Sequence, residues 1–190
     1  MDIPLYRTFN DLQTDSTWLN GTALLYAKTL GPLLLALLLL AGVAVARRQG
    51  LERVARAGWA GLSTFVAVAV NQPVVHAIDK ARPYAHLHDV HLLGTPSADP
   101  SFPSDHATLA GAAIAGLFLV DRRLGWAATG AGLLLAVDRV YIGAHYPGDV
   151  IAGLTLGAVV AIDGWLLLRR PLVALVTWLA TTPLGRLVRA

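Results

Sequence analysis

Polar residues fall at the edges of five apolar runs along this chain. The runs are Thr22–Ala46, interrupted only by Lys28, then Ala57–Ile78, Ala107–Val120, Leu124–Val137 and Val150–Leu168, the last interrupted only by Asp163. A helix of about 20 apolar residues crosses a bilayer core, so the first, second and fifth runs span unaided, while the two shorter ones draw on flanking residues. The pattern predicts an all-α integral membrane helix bundle with five or six transmembrane helices. The sixth element is the segment Pro171–Gly185, which reads better as a short helix lying at the interface than as a crossing. The first twenty residues alternate apolar and polar positions without a basic start, apolar core and cleavage site, and predict an N-terminal interfacial helix.

Composition sharpens this picture. The 190 residues are 55% hydrophobic and only 14% charged, far from an ordinary soluble domain. Arginines mark three loops: Arg47, Arg48, Arg53 and Arg56 after the first run, Arg122 and Arg123 after the third, and Arg169 and Arg170 after the fifth. Basic loops stay on the cytoplasmic side, so the N-terminus, Asp79–Ser104 and Tyr141–Gly148 face outward together. The formal charge of +3 is therefore mostly topology and gives no case for nucleic-acid binding. With no cysteine in the chain, thiolate chemistry and disulfides are excluded. No repeat or linker divides residues 1–190, which read as one membrane domain.

The outward segments carry the chemistry. Lys80, Arg82 and Pro83 follow the second run, FPSDH (Phe102–His106) opens the third, and Asp138–Asp149 joins the fourth to the fifth. Ser104 is placed to cap a helix whose first N–H groups, near Asp105 and His106, make an anion site. Pro147 suits the first turn of the next helix, from which Asp149 reaches back four residues toward His145. A carboxylate on one imidazole nitrogen fixes the tautomer and frees the other nitrogen to attack or accept a proton. Arg82 and Arg139 offer planar donors for phosphate oxygens. Two imidazoles, two guanidiniums and a helix N-terminus suit phosphoryl transfer, which needs chiefly positioning and charge stabilisation.

Arg82-Pro83, Pro103-Ser104-Asp105-His106, and Arg139 with His145 and Asp149 at their spacing resemble the three-part signature of the type 2 phosphatidic acid phosphatase superfamily. Within it, KARPY, PSDH and AHYPGD most resemble the bacitracin-resistance type of undecaprenyl-diphosphate phosphatase. The resemblance implies that His145 is the nucleophile forming a phosphohistidine, that Asp149 orients it, and that His106 protonates the leaving oxygen and then activates water. It implies that Arg82, Ser104, Arg139 and the main chain of Asp105 hold phosphoryl oxygens, and that no metal or other cofactor is used. A polyprenyl or phospholipid phosphate is the implied substrate, hydrolysed on the extracytoplasmic side of a bacterial inner membrane. Phosphatidic acid, phosphatidylglycerol phosphate and other polyprenyl phosphates are alternatives, as is a non-catalytic lipid-binding or transport protein on the same fold.

Two positions depart from the signature. The lysine usually found seven residues before the arginine is replaced by Val75, and the residue before Arg139 is Asp138 where serine is usual. Lys80 or Lys28 stands in for the missing phosphate-binding cation, and Asp138 braces Arg139 or offsets its charge. Several plainer assignments complete the reading. The plainer alternative for Lys28 is a residue that snorkels to headgroups, and for Ser104 a cap without a phosphate role; Asn71, Gln72 and His76 are expected to bridge helices in the interior. HLHDVH is an outer loop, set against a zinc site built from His86, His88, Asp89 and His91. Asp163 is expected to face the bundle and a partner.

Overall fold

Small residues set how closely the helices of this bundle approach. The computed structural model describes residues 2–188. The helix α1 (Asp2–Asp15) leads into α2 (Thr17–Leu25), a π-helical turn (Tyr26–Leu30) and α3 (Gly31–Arg47), which together form one long helix. There follow α4 (Leu51–Ile78), the short α5 (Pro83–His86), α6 (Asp105–Val120), α7 (Arg122–Tyr141), α8 (Pro147–Thr181) and α9 (Gly185–Val188). Three stretches, Thr17–Arg47, Leu51–His86 and Pro147–Thr181, are long and apolar enough to cross a membrane alone; α6 is a shorter apolar helix. Phe65 and Leu167 are 76% and 78% exposed, as lipid-facing side chains are. This is a multi-pass membrane protein.

The helix α6 is the central post, packed on α4, α7 and α8. Backbone contact is close enough that a Cβ on Gly157 would meet the Thr108 carbonyl, and one on Gly153 would lie 2.6 Å from the Ser104 carbonyl oxygen. In membranes such small-residue faces let van der Waals packing replace the missing hydrophobic drive between helices. Gly157→Ala is therefore expected to cost about 2 kcal/mol, the usual scale for overpacking. Thermal unfolding in detergent tests this against Gly58→Ala, where a Cβ has open space; equal stabilities would refute the packing argument.

At one end of the bundle Arg53 and Arg56 donate to the Val120 and Leu119 carbonyls, closing the C-terminus of α6. At the other end α1 lies over the loops. Its polar face turns inward: Asn10 exchanges hydrogen bonds with the His91 backbone at 2.7 and 2.8 Å, and Gln13 Nε2 donates to the Tyr141 carbonyl at 2.8 Å. Its Ile3, Leu5 and Leu12 remain exposed, as an interfacial helix requires.

Two expectations change. No interfacial helix begins at Pro171, because α8 runs unbroken to Thr181. At about 1.5 Å per residue α8 is roughly 50 Å long, well beyond a ~30 Å hydrocarbon core, so Pro171 falls past the core and water can serve the carbonyl it frees. Asp163 does not face the bundle; it is exposed, and among the described residues it has no ion-pair partner. It lies about 24 Å along α8 from Pro147, already near the far interface, where an acid tolerates exposure.

Candidate active site

The end of the bundle covered by α1 gathers the start of α6, the end of α7, the start of α8 and the loop after α5. Gly143, at φ +80°, turns the chain after α7; a side chain there would strike the His91 carbonyl. The turn brings His145 to the base of a cavity of about 330 Å³ also lined by Arg82, Asp105, His106, Arg139, Val75, His76 and Lys28.

His145 is 3% exposed, and its ring is oriented from both sides. Nδ1 lies 2.8 Å from the Ser101 carbonyl oxygen. A carbonyl only accepts, so Nδ1 carries the proton and Nε2 bears the free lone pair. Arg82 Nη1 sits 3.3 Å from that Nε2. The guanidinium is itself aimed by two carbonyls, Asp99 at 2.7 Å from Nε and Ala144 at 3.2 Å from Nη1.

Asp149 takes a less direct part than its spacing suggests. Its carboxylate stands 3.9 Å from His145 Nδ1. It accepts instead from the Ser101 hydroxyl at 2.5 Å, from the Tyr146 N–H at 3.0 Å and from Lys80 Nζ at 2.6 Å. Ser101, fully buried, thus links the carboxylate to the histidine: its hydroxyl holds Asp149 while its carbonyl holds the ring. Sequence reasoning missed Ser101, whose place depends on its N–H donating 2.7 Å to the Lys80 carbonyl, a contact no local pattern reveals.

Lys80 is not in the cavity. It pairs with Asp149 and, at 3.4 Å, with Asp2, and covers the Tyr146 ring at 4.2 Å. Asp2 also accepts from the Gly148 N–H at 2.7 Å, so α1 fastens the first turn of α8 from behind. The part of a phosphate-binding cation does not suit a lysine committed to two carboxylates.

Ser104 occupies the N-cap position of α6, but its hydroxyl makes no capping bond; fully buried, it has no partner among the described residues. The same is true of Arg139 Nε. Unpaired buried donors beside a cavity await an acceptor. The Asp105 carboxylate is occupied by Asn71 at 2.7 Å and Gln72 at 3.0 Å. Asn71 and Gln72 therefore bridge helices as expected, whereas His76 lines the cavity. Asp138 does not reach into the site: it lines a separate apolar cavity against α1 and α2. In the outer loop Arg7 meets the His88 carbonyl and Asn10 the His91 backbone; among the described residues no group of His, Asp and Glu is gathered to hold a metal.

Burial holds His145, in the loop between α7 and α8, below the ordinary histidine value of 6.5. Arg139 and Arg82 push the same way, and Asp149 opposes them. A lowered value keeps the imidazole neutral until the pH falls through it, so the nucleophilic form persists into mildly acid solution. The Cε1–H resonance of His145 is expected to titrate below 6.5 by NMR; a midpoint at or above 6.5 would show that burial does not govern the ring.

The PAP2 superfamily model matches residues 56–181. The chain is 32% identical over 136 residues to the undecaprenyl-diphosphatase BcrC of Bacillus subtilis, covering 69% of this chain and 68% of that protein. It is 30% identical to the putative undecaprenyl-diphosphatase YbjG of Escherichia coli, over 84% of this chain and 78% of that one. Among solved structures, Aquifex aeolicus LpxE superposes with a TM-score of 0.66 at 25% identity, covering 85% of this chain and 93% of its own.

Proposed function

The chain belongs to the PAP2 superfamily, and from that premise we propose that it is a lipid phosphatase hydrolysing polyprenyl diphosphates, undecaprenyl diphosphate first, to the monophosphate. The observation that carries this reading is His145, its Nδ1 fixed by the Ser101 carbonyl and its Nε2 turned to Arg82 in the cavity that also holds His106 and Arg139.

In the proposed reaction the Nε2 lone pair of His145 forms a bond to the terminal phosphorus. The bond from phosphorus to the bridging oxygen breaks, its electron pair stays on that oxygen, and His106 supplies the proton. Water then attacks the phosphohistidine, giving a proton to His106, and the N–P bond breaks to release phosphate and restore His145. Arg82, Arg139, the Ser104 hydroxyl and the N–H groups opening α6 stabilise the charge that builds on the phosphoryl oxygens. These residues supply every base, acid and cation that the steps require, so the reaction is proposed to need no metal.

Arginine-rich loops at the opposite end of the bundle favour a site on the extracytoplasmic face, and the likeness to bacterial relatives favours a bacterial inner membrane. There a lipid can keep its tail in the bilayer while its phosphate enters the cavity. The wall of that cavity includes Leu92, Leu93 and Ile142, which are indifferent to tail chemistry, so phosphatidic acid, phosphatidylglycerol phosphate and other lipid phosphates form the second substrate class. Phosphate release from undecaprenyl diphosphate and phosphatidic acid, by purified protein in detergent with excess EDTA, tests the proposal. Faster release from the diphosphate supports it, faster release from phosphatidic acid moves the assignment to the second class, and loss of release in EDTA refutes the metal-free route.

A further inference from the structure

The chain has two lysines, and they end in opposite circumstances. Lys80 is bound behind His145 to Asp149 and Asp2. Lys28 lines the cavity, and among the described residues no carboxylate pairs with it. Val75, only 4% exposed, makes another part of the same wall apolar.

Several features hold Lys28 where it is. It lies in the π-helical turn Tyr26–Leu30, a local widening that changes the phase of the residues around it. Tyr26 fixes the turn by donating to the Ala131 carbonyl at 2.9 Å. Ala27, fully buried, packs with Tyr141, Ile142 and Ala144 against the loop that carries His145. The ammonium end lies beside Gly94, since a Cβ built there would stand 3.2 Å from Nζ. Depth agrees: from Lys28 to Arg47 the helix rises about 28 Å, close to the ~30 Å of a hydrocarbon core, which places Lys28 at the headgroup level of the site's face.

We propose that Lys28 is the second phosphate ligand of this cavity, holding the lipid-proximal phosphate of a diphosphate while Arg82, Arg139 and His145 engage the terminal one. The proposal rests on reading the cavity as a phosphate site. It adds the substrate class: a cavity with a further cation at headgroup depth selects diphosphates over monophosphates. As the bridging bond breaks, the leaving monophosphate gains charge, and an ammonium beside it opposes that charge without taking part in the proton transfer. A compact ammonium with three donors suits such a point charge.

Calorimetric binding of methylenediphosphonate and of orthophosphate to the full-length protein in detergent tests this without requiring turnover. Lys28→Ala is expected to weaken methylenediphosphonate about tenfold, as losing one charge-assisted hydrogen bond does, and orthophosphate less than threefold. Lys28→Arg is expected to keep the wild-type preference. Equal weakening of both anions would reduce Lys28 to a diffuse charge, and no weakening would leave it a headgroup contact; either overturns the proposal. A wild-type protein that binds the diphosphonate through Lys28 yet hydrolyses no lipid would overturn the enzymatic reading while sustaining this one.

Discussion

Replacing His145 by asparagine is expected to lower kcat by at least about 10⁴-fold, the scale seen when a covalent nucleophile is removed from a working site. The substitution is chosen for its geometry. His145 contributes to the fold through Nδ1, which donates to the Ser101 carbonyl at 2.8 Å, and an asparagine amide keeps a donor in that region. What it cannot keep is Nε2, facing Arg82 at 3.3 Å, the atom to which the proposed mechanism gives the bond to phosphorus. Thermal unfolding near that of the wild type, together with lost turnover and no acid-labile label from a phosphate-labelled lipid, is the expected combination. Turnover within tenfold of the wild type would sink the nucleophile assignment, because charge stabilisation by Arg82 and Arg139 would then account for the rate alone.

Much of this site is legible before any coordinates. Apolar runs ending in arginines fix which loops share a face, and three short motifs on that face name His106, His145, Arg82, Arg139 and Ser104 as neighbours. The positions hidden from the sequence share a physical cause: each is settled by a long-range contact. Ser101 matters because Lys80, far along the chain, receives its N–H. Lys80 resembles a phosphate ligand by its nearness to Arg82, but the buried carboxylate of Asp149 claims it first, since an uncompensated charge in the interior costs more than an unfilled surface site. Lys28 reads from the sequence either as a snorkelling residue or as a stand-in for the missing cation, and apolar periodicity does not choose between them because it is blind to a cavity assembled from four other elements. The polar face of α1 turns inward for the same reason, as it serves loop backbones that have no partners of their own. Helix ends are harder still: a proline predicts a break at residue 171, yet α8 passes through it where solvent can take over the lost bond.

The second large effect is expected at Asp149, which is fully buried and whose hydrogen-bond partners are all donors: Lys80 Nζ, the Ser101 hydroxyl and the Tyr146 N–H. Asparagine has the same shape but turns an N–H₂ toward at least one of those donors. It also leaves Lys80 with only Asp2, at 3.4 Å. Lys80 is about one-third exposed, so water offsets part of the loss, and a destabilisation of about 2 kcal/mol is expected rather than the larger cost of a fully buried pair. Catalysis should suffer more. Without the carboxylate, Ser101 loses its anchor and the imidazolium-like charge developing on His145 loses an anion 3.9 Å away, so kcat is expected to fall about 10²- to 10³-fold with little change in KM. Ser101→Ala separates the two contributions: it removes the hydroxyl but keeps the carbonyl to Nδ1 and the Lys80–Asp149 pair, and should cost only about tenfold. Lys80→Ala should follow Asp149→Asn in lowering kcat, because the ammonium acts on the carboxylate and not on the substrate. If Lys80→Ala instead raises KM and spares kcat, Lys80 binds phosphate directly and its position behind His145 is not the one used in turnover.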